Sequence, residues 1–342
     1  MRFSDISIAM VLVLGSASFA TAQVQFGEVI TYKGICEPSG AVGFPAGTTD
    51  QIFIVANDET NSLKAYRAIG GEPLDMLSGD LNKFLQLDDK KDDNEADFEG
   101  AAWLNGRAYW IGSHSRSRKG NIRQARWQLF AARISVGSNA PVITPTSEKP
   151  FKGLLPAISA LDDRLKAKIN LGQPKEEELA PDNKGFNIEG LTGHADGKSL
   201  LLGLRSPLLG DKADQAVLIP LENPEGVVER NEQPILREPI LLDLGGRGVR
   251  SMEYSAAARA YLIVAGPAGD DSGTFELYTW TGEKPSPTPV PGFSAALQKL
   301  DKFQPEAMVV DSTGKKIHLF SDDGDTCNKT APAFRGVAIT LP

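Results

Sequence analysis

The sequence predicts an all-β chain folded as a five-bladed β-propeller, and three observations lead there. A glutamate followed by small or apolar residues recurs at Glu37, Glu99, Glu189, Glu253 and Glu306, as in Glu99-Gly100-Ala101 and Glu189-Gly190-Leu191. These glutamates lie 62, 90, 64 and 53 positions apart, and a unit of that size built of short strands makes a radial or stacked array. Each copy then runs through a turn into a β-rich segment, at 51–55, 108–112, 199–203, 260–264 and 316–320. The 34 glycines and 22 prolines among 342 residues fit many tight turns, and 41% hydrophobic residues supply a large core.

Residues 1–22 read as a secretory signal: Arg2 gives a weakly positive start, 6–14 is a short apolar run, and Ala20-Thr21-Ala22 is the small-residue cleavage pattern. The run is shorter than the ~20 residues a spanning helix needs. The mature chain, 23–342, is therefore expected to be one exported propeller domain, secreted or periplasmic, without a membrane span. A net charge of −8 argues against nucleic-acid partners.

The strand at 26–32 precedes the first glutamate, as 239–244 precedes Glu253. The expected unit is an outer strand, an inner strand opening at the glutamate, a second strand and a third. Third strands are expected at 62–67, 127–134, 216–220, 275–280 and 336–341. The last unit lacks one strand and the N-terminal strand is spare, so 26–32 should complete the final blade and remove the free edges. Strand direction then puts Cys36 and Cys327 on one face at adjacent blades. A disulfide between them would fasten the ring, contributing on the order of 4–5 kcal/mol through loop-closure entropy.

Some segments do not repeat. Pro156, the stripe Ile158, Leu161, Leu165 and Ile169, and then Gly172 predict a helix over 156–170. It lies in an insertion of about 135–187, which accounts for the longest glutamate spacing; a sixth, degenerate blade there is the alternative. Ser78 and Ser294 are N-cap candidates for shorter helices at 78–87 and 294–303. The acidic run 88–97 lacks the glycine and glutamate placement of a helix–loop–helix calcium site.

Inner strands surround the channel of a propeller, so the five glutamates are expected at one mouth. At roughly 6 Å and an effective dielectric near 20, each like-charged pair would repel by about 3 kcal/mol. Three resolutions are open. A hard cation, calcium first, would be held by Glu37, Glu99, Glu189, Glu253 and Glu306. Arg116, Arg118, Arg205 or Arg250 would pair with them. Or some would be protonated. The plain alternative is that each glutamate accepts backbone N–H groups of the next blade. The loops between second and third strands reach the same end with differing polar contents, offering Arg116, Arg118, Arg205, Asp270 and Asp322 to a ligand. His114 is the histidine among them, a candidate general base with Glu189, an anion donor, or an ordinary surface residue. One histidine without a thiol cluster makes zinc improbable.

At Glu99-Gly100-Ala101, Glu189-Gly190-Leu191, Leu204-Arg205-Ser206-Pro207 and Gln304-Pro305-Glu306-Ala307 the chain resembles the bacterial secreted β-propeller family called domain of unknown function 3616. The resemblance covers nearly all of the mature chain and implies fold and export without an activity. More distantly, the Glu-Gly-Leu strand starts look like those of phytase-like esterase propellers, whose acidic mouths hold metal ions that bind phosphate. The leading expectation is recognition of a small anionic or polyhydroxylated ligand with calcium. The alternatives are metal-assisted phosphoester or ester hydrolysis, and a protein-interaction scaffold using the mouth loops and the insertion.

Overall fold

Short apolar runs punctuated by turn residues fold into five antiparallel sheets in a computed structural model, which describes residues 23–74, 81–88, 93–270, 273–283 and 286–342. The expected leader, 1–22, lies outside the described residues. A single strand, β1 (Gln25–Lys33), comes first. Blade 1 is β2 (Pro38–Phe44), β3 (Ile52–Asn57) and β4 (Leu63–Arg67). Blade 2 is β5 (Phe98–Leu104), β6 (Arg107–Gly112), β7 (Leu129–Ser135) and β8 (Val142–Pro145). Blade 3 is β9 (Asn187–Gly193), β10 (Leu200–Ser206), β11 (Ala216–Leu221) and β12 (Ile240–Leu242). Blade 4 is β13 (Gly248–Ser255), β14 (Ala260–Gly266), β15 (Glu276–Trp280) and β16 (Thr288–Pro289). Blade 5 is β17 (Pro305–Val310), β18 (Lys316–Ser321) and β19 (Ala333–Thr340), completed by β1. The inner strands β2, β5, β9, β13 and β17 contact one another in turn, and β17 returns to β2, which closes the ring.

The closure is the predicted one. β1 runs antiparallel to β19 from Gln25 opposite Thr340 to Lys33 opposite Ala333. Cys36 and Cys327 are joined by a disulfide, with Cα atoms 5.7 Å apart. Tyr32 is fully buried at the seam, stacked on Phe334. Its hydroxyl donates to Ala68 O at 2.9 Å and shares a hydrogen bond with His318 Nε2 at 3.0 Å, so His318 is a packing residue of the seam.

Three expectations are corrected. Residues 239–244 do not open the blade of Glu253: β12 pairs with β11 and is the outer strand of the preceding blade. The chain leaves each blade at its rim and crosses to the centre of the next, so an outer strand ends one sheet. The insertion holds no sixth blade; it contributes β8 to blade 2 and then helical segments. The predicted helix over 156–170 is two, Leu154–Leu161 and Asp163–Ile169, because Asp162 takes an extended conformation and its carboxylate caps Arg164 N and Leu165 N. In the shorter candidates, the described helices are Asn82–Leu85 and Phe293–Leu297; residues 75–80 and 89–92 lie outside the described set.

The core lies between blades, for example where Leu191, Leu202 and Ile219 of blade 3 meet Tyr109, Ile111 and Leu129 of blade 2. At the centre the inner strands approach so closely that a Cβ on Gly100 would lie 2.8 Å from Leu191 Cβ, and one on Gly40 would lie 2.9 Å from Gly100 C. Glycine at these two positions lets the ring tighten.

Candidate functional site

Each inner strand begins with a β-bulge. The pairing slips between Phe98 and Gly100, between Ile188 and Gly190, between Val249 and Ser251, between Pro305 and Ala307, and between Pro38 and Ala41. The residue left without a partner is Glu99, Glu189, Arg250 or Glu306 in blades 2 to 5, while blade 1 has Ser39 and Gly40 there. A bulge re-aims its extra side chain, and all four charged residues line one cavity of about 700 Å³ at this mouth. Its wall carries twelve carboxylates, from Glu37, Asp58, Glu59, Glu95, Asp97, Glu99, Asp182, Glu189, Asp270, Glu306, Asp322 and Asp325. Against them stand four arginines, Arg118, Arg126, Arg205 and Arg250.

Three of those guanidinium groups are already committed. Arg250 Nε lies 2.9 Å from Glu189 Oε2, and its Nη2 pairs with Glu306. Arg205 Nη1 lies 3.1 Å from Glu189 Oε1, which also accepts from Asn187 Nδ2 at 3.1 Å. Arg126 bridges Asp97 at 2.8 Å and Glu95 at 3.1 Å. Burial lowers Arg250 to about 10, against the pull of Glu189, so it remains a cation at neutral pH.

Other carboxyls of the wall are pushed the other way. Burial first, and then the charges of Glu189 and Asp97, hold Glu99 well above the usual carboxylate range. Burial and Glu37 do the same to Asp58, and burial with Asp97 raises Glu95 to about 7. A raised carboxyl keeps its proton in the folded state after the unfolded chain has lost it. Its stabilising contribution is complete below about pH 4 and is lost as pH rises through the folded value. His114 and His318, lowered by burial to about 4 and about 3, act with opposite sign, and their contribution is complete above about pH 6.5. Stability to urea is therefore expected to fall between about pH 6.5 and 8, and Glu99→Gln should flatten that slope. A midpoint that rises over this interval would contradict the assignment.

A family model described as a protein of unknown function, DUF3616, matches residues 45–135 and 155–302. The chain belongs to that family. No curated protein matches it. Among solved structures, a thermostable family-43 glycoside hydrolase is similar at 13% identity and a TM-score of 0.43, covering 91% of this chain and 89% of the other. A DUF4221 family member from Bacteroides vulgatus is similar at 7% identity and a TM-score of 0.32, covering 94% and 99%.

In this DUF3616 chain the predicted site residues divide. Glu37, Glu99, Glu189, Glu306, Arg118, Arg205, Asp270 and Asp322 all line the mouth. Glu37 sits just before the inner strand, 3.4 Å from Lys329 Nζ. Glu253 does not reach this mouth. It lies three residues beyond the bulge, and its Oε2 accepts Val310 N at 2.7 Å, toward the opposite end. Blade 4 thus presents Arg250 where blades 2, 3 and 5 present glutamate. His114 and Arg116 are also corrected. His114 has a positive φ of 56° and is 2% exposed, and its Nδ1 is 2.8 Å from Gly112 O. Arg116 is buried and donates to the carbonyls of Gly120, Ile169, Asn170 and Gln173, tying the loop to the insertion. Both turn away from the cavity because this loop folds back over the second of the inserted helices.

The sequence left unassigned Asp58, Asp97, Asp182, Asn187 and Arg126. Asp97, at a φ of 51°, is fixed by Ser113 and Arg126. Its place immediately before a glutamate strand start was a usable signal; Arg126 closes the same second-to-third-strand loop that carries Arg118. Among the described residues no helix is long and apolar enough to cross a membrane.

Proposed function

We propose that the mouth binds a hard divalent cation, calcium in the first instance, together with a small polyhydroxylated ligand. The observation that carries this reading is the wall itself, in which, among the described residues, twelve carboxylates face four arginines and the only apolar side chains are Pro38 and Pro181. Oxygen donors without sulfur or imidazole suit calcium. With Arg126, Arg205 and Arg250 committed, Arg118 is the arginine left for an anion, so hydroxyl groups match the wall better than a phosphate does. Among the described residues no three acidic, histidine or cysteine side chains are gathered tightly enough to hold a metal by themselves. Water or the ligand's own hydroxyls would therefore complete the coordination. Export, expected from residues 1–22, would expose the mouth to extracellular or periplasmic cations.

Hydrolysis is supported less. Glu189 is held between two arginines, and His114 is buried outside the cavity, so neither side chain is free to serve as base. Calorimetric titration of calcium into chelator-treated protein tests the proposal. Binding is expected at pH 8, weaker at pH 6 because protons compete for Asp58 and Glu99, and about tenfold weaker in Glu99→Gln. A flat trace at millimolar calcium and pH 8 removes the cation from the reading.

A further inference from the structure

We infer that the opposite end of the ring is a second, separate binding site, suited to a small organic cation carrying an aromatic or aliphatic body. The inner strands end there around a cavity of about 450 Å³. Its walls include Trp103, Leu104, Thr192, His194, Glu253 and Tyr254, and no arginine or lysine is among the described residues that line it. This is the reverse of the acidic mouth: two carboxyls, Glu253 and Asp311, stand among aromatic and apolar side chains, in place of many carboxylates and no aromatics.

Glu253 has no described cationic partner. Its one hydrogen bond is from Val310 N, and burial pushes it up to about 8. The other titratable groups facing the cavity are engaged. His194 Nδ1 lies 3.3 Å from Asp196, and Asp311 accepts from Thr313 Oγ1 and from the backbone of Lys315 and Lys316. Trp103 and Tyr254 are only partly buried, and the indole is fixed by Nε1 donating to Gly43 O at 2.8 Å. Aromatic faces beside a carboxylate attract ammonium groups, both by the ring quadrupole and by direct charge. An ammonium seated there would supply the missing counter-charge, and Glu253 would release its proton as the cation binds.

Benzylamine is a probe for this site, with benzyl alcohol as its neutral counterpart, followed by calorimetry on the whole chain. Benzylamine is expected to bind wild type, with heats that differ between buffers of different ionisation enthalpy because a proton is released. Benzyl alcohol with wild type, and benzylamine with Glu253→Gln, should each bind about tenfold more weakly. Glutamine keeps the shape and the acceptor for Val310 N; should that variant misfold, Tyr254→Leu provides the second test, with a loss of about fivefold. Equal affinity of wild type for amine and alcohol, undiminished amine affinity in either variant, or no binding at about 10 mM benzylamine would overturn the inference.

Discussion

Arg250→Met is expected to destabilise the protein by about 3–5 kcal/mol, through loss of a buried charge that two buried carboxylates depend on. Arg250 is 5% exposed, and its partners Glu189 and Glu306 are 3% and 6% exposed. These three residues come from the bulges of adjacent blades, so the guanidinium group ties blade 3 to blade 4 and blade 4 to blade 5. Methionine fills similar space but leaves Glu306 without a cation and Glu189 with Arg205 alone. Adding Glu306→Gln to Arg250→Met should recover part of the loss, since it removes one stranded charge. Urea unfolding of the two variants checks this. A loss below about 1 kcal/mol would mean that backbone pairing holds the ring and the charge network contributes little.

The same residue shows how far the sequence could be read. The glutamate repeat was visible because a bulge at a fixed place in each blade selects a residue able to face the channel. In blades 2, 3 and 5 that residue is the glutamate of the motif. In blade 4 the pairing of Val249 with Ala265 and of Ser251 with Val264 sets the bulge at Arg250, three residues before the glutamate that resembles the others. Strand register decides the position, and residue type alone cannot report register. Closure was legible because an unpaired first strand and a three-stranded last unit leave one economical arrangement. The mouth was legible as acidic but incomplete in membership. Asp58 and Arg126 sit in second-to-third-strand loops of the kind expected at this mouth, whereas Asp182 reaches it from the insertion, which no repeat connects to it. His114 and Arg116 were adjacent in sequence to Arg118, yet the turn of Ser117–Gly120 and the inserted helices cover them. Contiguity along a loop is a weak guide to which side of it faces a cavity.

The double variant Cys36→Ala/Cys327→Ala is expected to lose about 4–5 kcal/mol. The two cysteines are separated by 291 positions, so the bond constrains nearly the whole unfolded chain. Replacing both avoids a reactive thiol and leaves the contacts of β1 with β19 in place. The seam retains the Tyr32–Phe334 stack and the Arg335–Asp323 ion pair. The ring should still close, but with a lower urea midpoint and an unchanged spectrum. Reduction of the wild type under native conditions should lower the midpoint equally, which separates loss of the cross-link from any effect of alanine. A midpoint within about 1 kcal/mol of wild type in both experiments would assign closure to strand pairing and aromatic packing alone, with the disulfide a passive consequence of two ends already held together.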